Sequence, residues 1–301
     1  MQIHPFATKG LSCAAMAIAF TFAAWAQNNQ SFVATTGNDA NNCTTSAPCR
    51  TIARALKVTN SGGEVVVVNS GNYGTNITIN SPVTISAVGV DASLVTTNGS
   101  AVTIDLSPGG NVTINGLALH ARGGATDNGV LVRSVTDLRL SNMLIDNFQY
   151  NGIEFDAADR DLTVYNSQLN RNWQSGLMVH APGARVYVEG SSFDNNVAAG
   201  AVSETGKLTL NNSSAHFNGV GFASNGGTVT LDNDRVLFNA TGLGVGAGGS
   251  LRFSNCLISD NTTAAWDVAA GGVLAGSSPA TTFVTPGQVR NGKLSAATLL
   301  E

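Results

Sequence analysis

The sequence predicts an all-β solenoid in which short parallel strands coil around a filled interior, the architecture called a parallel β-helix. Three observations predict it: a unit of roughly 22 residues repeats along the chain, apolar and polar residues alternate within each unit, and asparagine or glycine recurs at one turn position. Each unit of such a repeat buries its apolar face only by stacking on the next unit. The pattern therefore predicts the whole architecture as one domain.

Successive units open with a small residue followed by a short apolar run, as in Gly129-Val-Leu-Val and Gly152-Ile-Glu-Phe. The later openings are Gly176, Gly200, Gly221, Gly242 and Ala265, so the spacing between units is nearly constant. Alternation with a period of two predicts strands with one buried face, and the near-constant spacing predicts one closed coil per unit. A leucine-rich repeat has a similar length, but its leucine spacing and helical half are absent here.

Asparagine recurs in two columns of the aligned units. The first column, with one glycine, holds Asn142, Asn166, Gly190, Asn212, Asn233 and Asn255, and the second holds Asn172, Asn196, Asn218, Asn239 and Asn261. Asparagine and glycine both tolerate the left-handed backbone conformation that a sharp bend needs, so the first column is predicted to form a turn. We expect the stacked side chains of this turn column, Asn166, Asn212, Asn233 and Asn255, to hydrogen-bond to one another in a ladder along the solenoid.

Four segments are predicted along the chain. Residues 1–26 read as a secretory signal peptide, because Lys9 precedes an uncharged apolar run and Ala24-Trp25-Ala26 gives a cleavage pattern. Residues 27–63 are predicted to form an N-terminal cap with a helix that starts at Ser46-Ala-Pro48 and ends before Gly62-Gly63. The β-helix follows over residues 64–275, and residues 276–301 form a C-terminal cap or tail.

Export and composition limit the partners. The apolar run of the signal is shorter than the roughly 20 residues that span a bilayer, so we predict a secreted, periplasmic or cell-surface protein and not an integral membrane protein. Net charge is −4 and only 11% of residues are charged, which argues against a nucleic-acid partner because phosphate binding needs clustered Lys and Arg. The sequence gives no oligomeric state.

The cysteines fit an exported chain. Cys43 and Cys49 are close in sequence and are predicted to form a disulfide; a zinc site is the alternative, but no histidine or further cysteine lies nearby. Cys256 occupies the column that holds Ser167, Ser191 and Ser213, so it is predicted to point inward as a buried thiol.

These features together resemble the right-handed parallel β-helix proteins of the pectin-lyase-like superfamily, in their exported bacterial form. The resemblance covers residues 64 to about 275 and is strongest from residue 129 onward. It implies aliphatic stacks inside the solenoid and functional residues on the outside of the strands and on turn insertions. The sharper catalytic signatures of polygalacturonase-like and alginate-epimerase-like chains, such as Gly-His-Gly and Asp-Pro-His-Glu, are absent from this sequence.

One outward column concentrates ionisable residues. The position four after each opening residue reads Asp105, Arg133, Asp156, His180, Glu204 and Asn225, and Glu154 lies beside Asp156. We expect Arg133, Glu154, Asp156, His180 and Glu204 to lie within one or two strand spacings of one another. Such a group suits acid and base chemistry on a sugar chain, with Asp156 or Glu204 as base, His180 as acid and Arg133 neutralising a uronate. The alternative is an exposed charge ladder whose neighbours avoid like charges.

Two further sets of residues are weaker candidates. Tyr150, Trp173 and Tyr187 are predicted to stack on sugar rings, with packing as the alternative. Asp232, Asp234 and Asp260 fall near turns, but no calcium-loop motif repeats, so calcium is not indicated and neither a metal nor a cofactor is expected.

Two functions from different classes remain open. The first is a non-catalytic exported scaffold that contacts a polysaccharide or another cell-envelope or extracellular component. The second is a polysaccharide-active enzyme, a pectate-lyase-like lyase or a glycoside hydrolase, acting on an acidic glycan at the ionisable column. The fold hosts both kinds of protein and does not choose between them.

Overall fold

Strands of three sheets follow one another along the chain, and each strand pairs in parallel with its counterparts one coil earlier and one coil later. Asp161–Tyr165, for example, lies between Asp137–Ser141 and Arg185–Glu189. The computed structural model describes residues 28–277 and 282–283, and within them it confirms the predicted right-handed parallel β-helix. The predicted signal peptide and most of the predicted C-terminal tail lie outside these residues.

The three sheets run the length of the solenoid. Within the described residues, the eleven-stranded sheet consists of β1 (Asn28–Val33), β2 (Thr59–Val67), β5 (Val83–Ser86), β8 (Asn111–Asn115), β11 (Asp137–Ser141), β14 (Asp161–Tyr165), β17 (Arg185–Glu189), β20 (Lys207–Asn211), β23 (Thr228–Asp232), β26 (Ser250–Ser254) and β29 (Val273–Ser277). The ten-stranded sheet consists, over the same part of the chain, of β3 (Gly71–Asn72), β6 (Ala92–Gly99), β9 (Leu117–Thr126), β12 (Leu144–Asp146), β15 (Gln168–Asn170), β18 (Ser192–Asp194), β21 (Ser214–His216), β24 (Arg235–Leu237), β27 (Leu257–Ser259) and β30 (Thr282–Phe283). The nine-stranded sheet, counted over the described coils, consists of β4 (Ile77–Ile79), β7 (Val102–Asp105), β10 (Val130–Ser134), β13 (Ile153–Phe155), β16 (Leu177–Val179), β19 (Ala199–Ser203), β22 (Val220–Ser224), β25 (Thr241–Val245) and β28 (Ala264–Val268).

Aliphatic and aromatic columns fill the interior. In the eleven-stranded sheet one inward column holds Leu138, Leu162, Val186, Leu208, Val229 and Leu251, and all six side chains are buried. Burying such a side chain stabilises the fold by about 1.5–3 kcal/mol. Because the same position is apolar in every coil, the core continues from one coil to the next.

Glycine opens the units because the coils approach each other closely there. A Cβ on Gly152 would lie 2.5 Å from the carbonyl oxygen of Gly176, and one on Gly176 would lie 2.6 Å from that of Gly200. Ala265 lies in β28, the last strand of its sheet in the described residues, where no described coil presents a carbonyl to its Cβ. The glycine column is thus a packing requirement of the stack.

The first asparagine column forms the turn between the eleven-stranded and ten-stranded sheets, as predicted. Its members all have left-handed backbones, with φ between 45° at Asn166 and 61° at Gly190. Some neighbours in this column bond to each other, as when Asn233 Nδ2 donates to Asn212 Oδ1 at 3.3 Å. These bonds are exposed to solvent, so the column's main contribution is its backbone conformation.

The prediction that the first column forms the ladder is wrong: the continuous ladder is the second column, which is buried between the ten-stranded and nine-stranded sheets. From Asn172 to Asn261, each Nδ2 donates to the Oδ1 of the next coil at 2.9 to 3.1 Å, and the same Oδ1 accepts the backbone N–H of the asparagine before it. Asn218 Nδ2 also donates to the Phe193 carbonyl. The ladder therefore satisfies backbone groups that the bend would leave unpaired inside the protein.

An inward column of small polar side chains lies just after the first turn. The hydroxyl oxygens of Ser167, Ser191 and Ser213 each accept the N–H of the residue one coil earlier in the column. Asp234 takes the next place and accepts from Ser213 N at 2.7 Å. Burial raises the pKa of the Asp234 carboxyl to about 7, although its backbone hydrogen bonds oppose that shift.

Cys256 ends this column in the described coils. It is a free, buried thiol that donates to the Ser254 carbonyl, and burial raises its pKa to about 11. The thiol therefore stays protonated at neutral pH, and its predicted inward position is confirmed.

The N-terminal cap contains the predicted disulfide, Cys43–Cys49, but its helix is shorter than predicted. The helix α1 runs over Ile52–Val58 and begins after Thr51, whose hydroxyl accepts the Arg54 N–H. It does not begin at Ser46, because Cys49 already pairs with β1 through its backbone. The described residues include no helix with the length and hydropathy of a membrane span.

Candidate binding face on the nine-stranded sheet

Three of the predicted ionisable residues meet on the outer face of the nine-stranded sheet. Asp156, His180 and Glu204 each follow a strand of this sheet in successive coils. His180 lies between the two acids: its Nδ1 is 3.4 Å from Asp156 Oδ1, and its Nε2 is 3.5 Å from Glu204 Oε2. Parallel pairing of β13, β16 and β19 sets this arrangement, since it places equivalent residues of adjacent coils side by side.

Glu154 joins the cluster from the middle of β13. One carboxylate oxygen of Glu154, one of Asp156 and one ring nitrogen of His180 all lie within 4.8 Å of one another. Asn151 Nδ2 donates to Glu154 Oε2 at 3.3 Å. The Oδ1 atom of Asp156 is shielded from solvent and has no hydrogen-bond partner in the described structure.

No ion pair connects Arg133 to this cluster. The register between β7 and β10 shifts after Val132, so that Asp105 pairs with Ser134 and Arg133 has no partner residue in β7. Among the described residues no ion pair involves Arg133. A local insertion of this kind is not visible in the repeat pattern, which is why the sequence alignment placed Asp105 and Arg133 in one column.

A groove of about 490 Å³ continues from the cluster along the sheet. Its floor is the outward column Met178, Val202, Ala223 and Gly244, in which the side chains become smaller from coil to coil. Val202 and Ala223 are buried although they lie outside the solenoid's core. Glu204 lines the groove at the cluster end, and Asp267 lines it at the opposite end.

Exposed apolar side chains, here called the apolar ridge, lie in the turns between the ten-stranded and nine-stranded sheets, beside this groove but not in its lining. In successive coils they are Tyr150, Trp173, Val197, Phe217 and Phe238. Trp173 and Val197 directly follow an asparagine of the buried ladder, whereas Phe217 and Phe238 directly precede one. Within the described residues these are five of the eight large apolar side chains that are exposed, so the exposure is concentrated here. Ser175, Ala198 and Val220, which line the groove, follow members of the ridge by one to three residues.

Two members of the ridge have an unusual backbone. Phe217 and Phe238 both have φ of 58°, and their rings stack at 5.4 Å between centroids with 11° between planes. The same turn position holds Asn147, Arg171 and Asn195 in earlier coils. A left-handed conformation costs an L-residue roughly 1–2 kcal/mol, and bulky residues rarely adopt it. This strain suggests a function for the exposed pair.

Tyr187 lies on a different face from the other two predicted aromatic residues. It belongs to β17 in the eleven-stranded sheet, where it packs edge-on against Tyr165 and its hydroxyl donates to Glu189 Oε2 at 3.1 Å. Tyr150 and Trp173 are on the ridge, so the three residues do not form one surface.

Sequence reasoning missed a polar column on the outside of the ten-stranded sheet. Asp146 is buried there and accepts from His120 Nδ1 at 2.7 Å and from Arg171 Nη2 at 2.6 Å, while His216 Nδ1 lies 3.0 Å from Asp194 Oδ1. His120, Asp146, Asp194 and His216 each occupy the second outward position after the first turn of their coil. The recurrence of His and Asp at that position is the signal that could have identified them.

Comparisons with known proteins support the fold. A family model described as the right-handed β-helix region matches residues 22–236. No curated protein matches the sequence. Among solved structures, pectate lyase Pel9A is similar with a TM-score of 0.50 and 14% identity, over 84% of this chain and 77% of that one.

Two further solved structures are similar at comparably low identity. Tailspike protein 2 of Escherichia coli O157:H7 bacteriophage CAB120 has a TM-score of 0.59 and 12% identity, over 77% of this chain and 35% of that one. A lacto-N-biosidase from Eubacterium ramulus has a TM-score of 0.56 and 11% identity, over 89% of this chain and 66% of that one. At such identities the likeness shows the fold alone.

Proposed function

Because the chain belongs to the right-handed β-helix family, whose interior is filled, we propose that it is an exported protein that binds one strand of a neutral polysaccharide along its outer surface. The ligand would lie in the groove of the nine-stranded sheet, parallel to the solenoid axis. The observation that carries the proposal is the combination of an apolar groove floor with an exposed apolar ridge beside it.

The dimensions of the ridge suit an extended ligand. Its five members lie in successive coils, and strands stack at about 4.8 Å, so the ridge extends for about 19 Å. Aromatic rings stack on the apolar faces of sugars while the hydroxyl groups remain free to hydrogen-bond. A repeating aromatic surface beside a long groove therefore favours a repeating sugar chain over a compact ligand.

The charges around the groove favour a neutral glycan. Its ionisable lining residues, within the described structure, are Glu204 and Asp267, and Glu154 and Asp156 lie just beyond its end. A polyuronate would bring carboxylates towards these acids, and like charges at an interface weaken association. The expected neutralising residue, Arg133, has no place in the groove lining.

The comparisons are compatible with this proposal. Similar solved structures include a pectate lyase and a lacto-N-biosidase, so the fold accommodates proteins with glycan substrates. The fold itself does not select the ligand. The groove and the ridge are what support glycan binding by this chain.

The test is affinity electrophoresis of the purified protein in gels that contain neutral polysaccharides or polyuronates. We expect retardation by at least one neutral polysaccharide and none by polyuronates. Trp173→Ala and Phe217→Asn should weaken retardation about tenfold, since truncating an aromatic residue that contributes to binding costs more than about 1 kcal/mol. Tyr187→Ala, which alters an aromatic residue on the eleven-stranded sheet, should bind as the wild type does. Equal losses in all three variants, or selective binding of polyuronates, would contradict the proposal.

A second function is favoured by one specific observation, the position of His180 between Asp156 and Glu204. An imidazole held between two carboxylates can transfer protons to and from a glycosidic bond. The test is release of reducing ends and of unsaturated products from every polysaccharide that binds, compared with an Asp156→Ala, His180→Ala variant. Binding without turnover supports the scaffold function, and turnover that disappears in the variant supports the enzyme.

A further inference from the structure

We propose that Glu154, Asp156 and His180 form a binding site for a divalent transition-metal ion of the Zn²⁺ type, with Glu204 supporting the histidine from the far side of the ring. The three ligand atoms lie within 4.8 Å of one another and come from two adjacent coils. Metal binding by these residues does not depend on glycan binding in the groove.

The distance between His180 and Asp156 differs from that of the other His–Asp pairs in the described residues. His120 Nδ1 lies 2.7 Å from Asp146 Oδ1, and His216 Nδ1 lies 3.0 Å from Asp194 Oδ1, which are hydrogen-bond distances. His180 Nδ1 lies 3.4 Å from Asp156 Oδ1. Two ligand atoms on a tetrahedral zinc ion, each about 2.1 Å from the metal, are about 3.4 Å apart. The pair is thus spaced for a shared ion.

The unpartnered oxygen of Asp156 is the second observation. Its Oδ1 is shielded from solvent and accepts no hydrogen bond from a described residue, while the Asp156 side chain as a whole is 34% exposed and His180 Nδ1 lies 3.4 Å from this oxygen. A shielded carboxylate oxygen without a hydrogen bond is destabilising, and unsatisfied groups of this kind are uncommon in folded proteins. A cation bound at this oxygen would remove that destabilisation.

Glu204 supplies the interaction that metal-binding histidines usually make with their other ring nitrogen. A histidine that ligates through Nδ1 carries its proton on Nε2 and commonly donates it to a carboxylate, which fixes the ring's orientation. His180 Nε2 lies 3.5 Å from Glu204 Oε2. The three coils therefore provide both the ligands and the group that orients one of them.

The donor set favours a transition metal over calcium. Calcium takes six to eight oxygen ligands, whereas zinc binds imidazole nitrogen and carboxylate oxygen in sites with three protein ligands. No sequence motif indicated a metal, because the chain contains no repeated calcium loop. Its ligands instead combine a Glu-x-Asp pair in one coil with a histidine one repeat later, a spacing that has meaning only once the repeat has closed into coils.

The experiment is a calorimetric titration of tag-free, chelator-treated protein with Zn²⁺, together with the visible absorption spectrum of the Co²⁺ form. We expect one equivalent to bind, with Co²⁺ bands typical of a four- or five-coordinate site. His180→Ala and Asp156→Asn should weaken binding by more than about 100-fold, and Glu204→Gln by about 10-fold to 100-fold. His216→Ala is the matched control, because it removes a histidine of another His–Asp pair and should leave binding unchanged.

Absence of Zn²⁺ binding, binding retained in His180→Ala, or tighter binding of Ca²⁺ than of Zn²⁺ would each overturn this site. Thermal unfolding curves separate ligand loss from misfolding, since the metal should raise the Tm of the wild type and of His216→Ala but not that of a correctly folded His180→Ala protein. The glycan experiments use ridge variants that leave these ligands intact. Failure of one proposal is therefore distinguishable from failure of the other.

Discussion

Side chains at equivalent buried positions of the repeat behave differently when one of them is ionisable. The serines of the inward column satisfy backbone N–H groups without carrying charge. Asp234 makes the same kind of bond to Ser213 but adds an ionisable group in a buried position. The change of one residue type within a repeated geometry predicts a pH dependence that the serines do not have.

The free energy of unfolding should fall as pH rises from about 4 to about 7. Burial raises the pKa of Asp234 from 3.8 to about 7, so between these values the native protein holds a proton that the unfolded chain releases. The contribution of this group is fully present below pH 4 and is lost by about pH 8, a change on the order of 2–4 kcal/mol. Urea unfolding at pH 4.5, 6 and 8 measures it.

The matched variants are Asp234→Ser and Asp267→Ser. Asp234→Ser restores the residue type of Ser213 and should remove most of this pH dependence, with a higher free energy of unfolding than the wild type at pH 8. Asp267 is exposed on another sheet, so Asp267→Ser should retain the wild-type pH profile. A profile for Asp234→Ser that matches the wild type would contradict the assignment of the effect to this carboxyl.

At the scale of the element, substitutions in the two asparagine columns should change stability by very different amounts. Asn218→Ala leaves the Asn196 and Phe193 backbone groups without partners in the interior and should lower the free energy of unfolding by about 2–4 kcal/mol. Asn212→Gly changes an exposed turn residue with φ of 52°, and Gly190 already occupies this column, so it should change stability by less than about 0.5 kcal/mol. Equilibrium denaturation of both variants measures these changes. Comparable losses of unfolding free energy in Asn218→Ala and Asn212→Gly would show that the ladder is misassigned.

Much of the element scale could be predicted from the sequence because the repeat converts sequence spacing into spatial adjacency. The turn column, the inward position of Cys256 and the alignment of Asp156, His180 and Glu204 all follow from the near-constant spacing of the repeat. The asparagine ladder was predicted for the wrong column, since both columns consist mainly of asparagine. Burial alone distinguishes them.

Local irregularities explain the other places where an element of the structure differs from the one predicted from the sequence. The helix begins at Ile52 and not at Ser46, because backbone pairing of Cys49 with β1 takes precedence over a plausible helix start. The register shift beside Arg133 adds a residue to one strand without changing the alternation that the sequence displays. Both features depend on neighbouring strands that a single-sequence pattern does not reveal.

At the scale of the whole molecule, the groove arises from residues that have no distinctive motif. Its floor is a column of successively smaller side chains in separate coils, and the ridge adds exposed side chains from the turns beside it. The ionisable end of this surface could be identified from the sequence because charges are rare in the chain. The apolar part was not predicted, because outward valine and alanine residues look like any others until the sheet is assembled.

The central claim is that the glycan binds in the groove on the nine-stranded sheet. Two variants that each introduce one arginine, on different sheets, test this claim most directly. Val202→Arg fills the floor of the groove, whereas Thr230→Arg places the same side chain on the outside of the eleven-stranded sheet, beside Arg252 in the next coil. The measurement is the Kd of each variant for the neutral polysaccharide that retards the wild type. We predict a loss of at least about tenfold for Val202→Arg and no change for Thr230→Arg; unchanged binding by Val202→Arg, or equal losses in both, would contradict the claim.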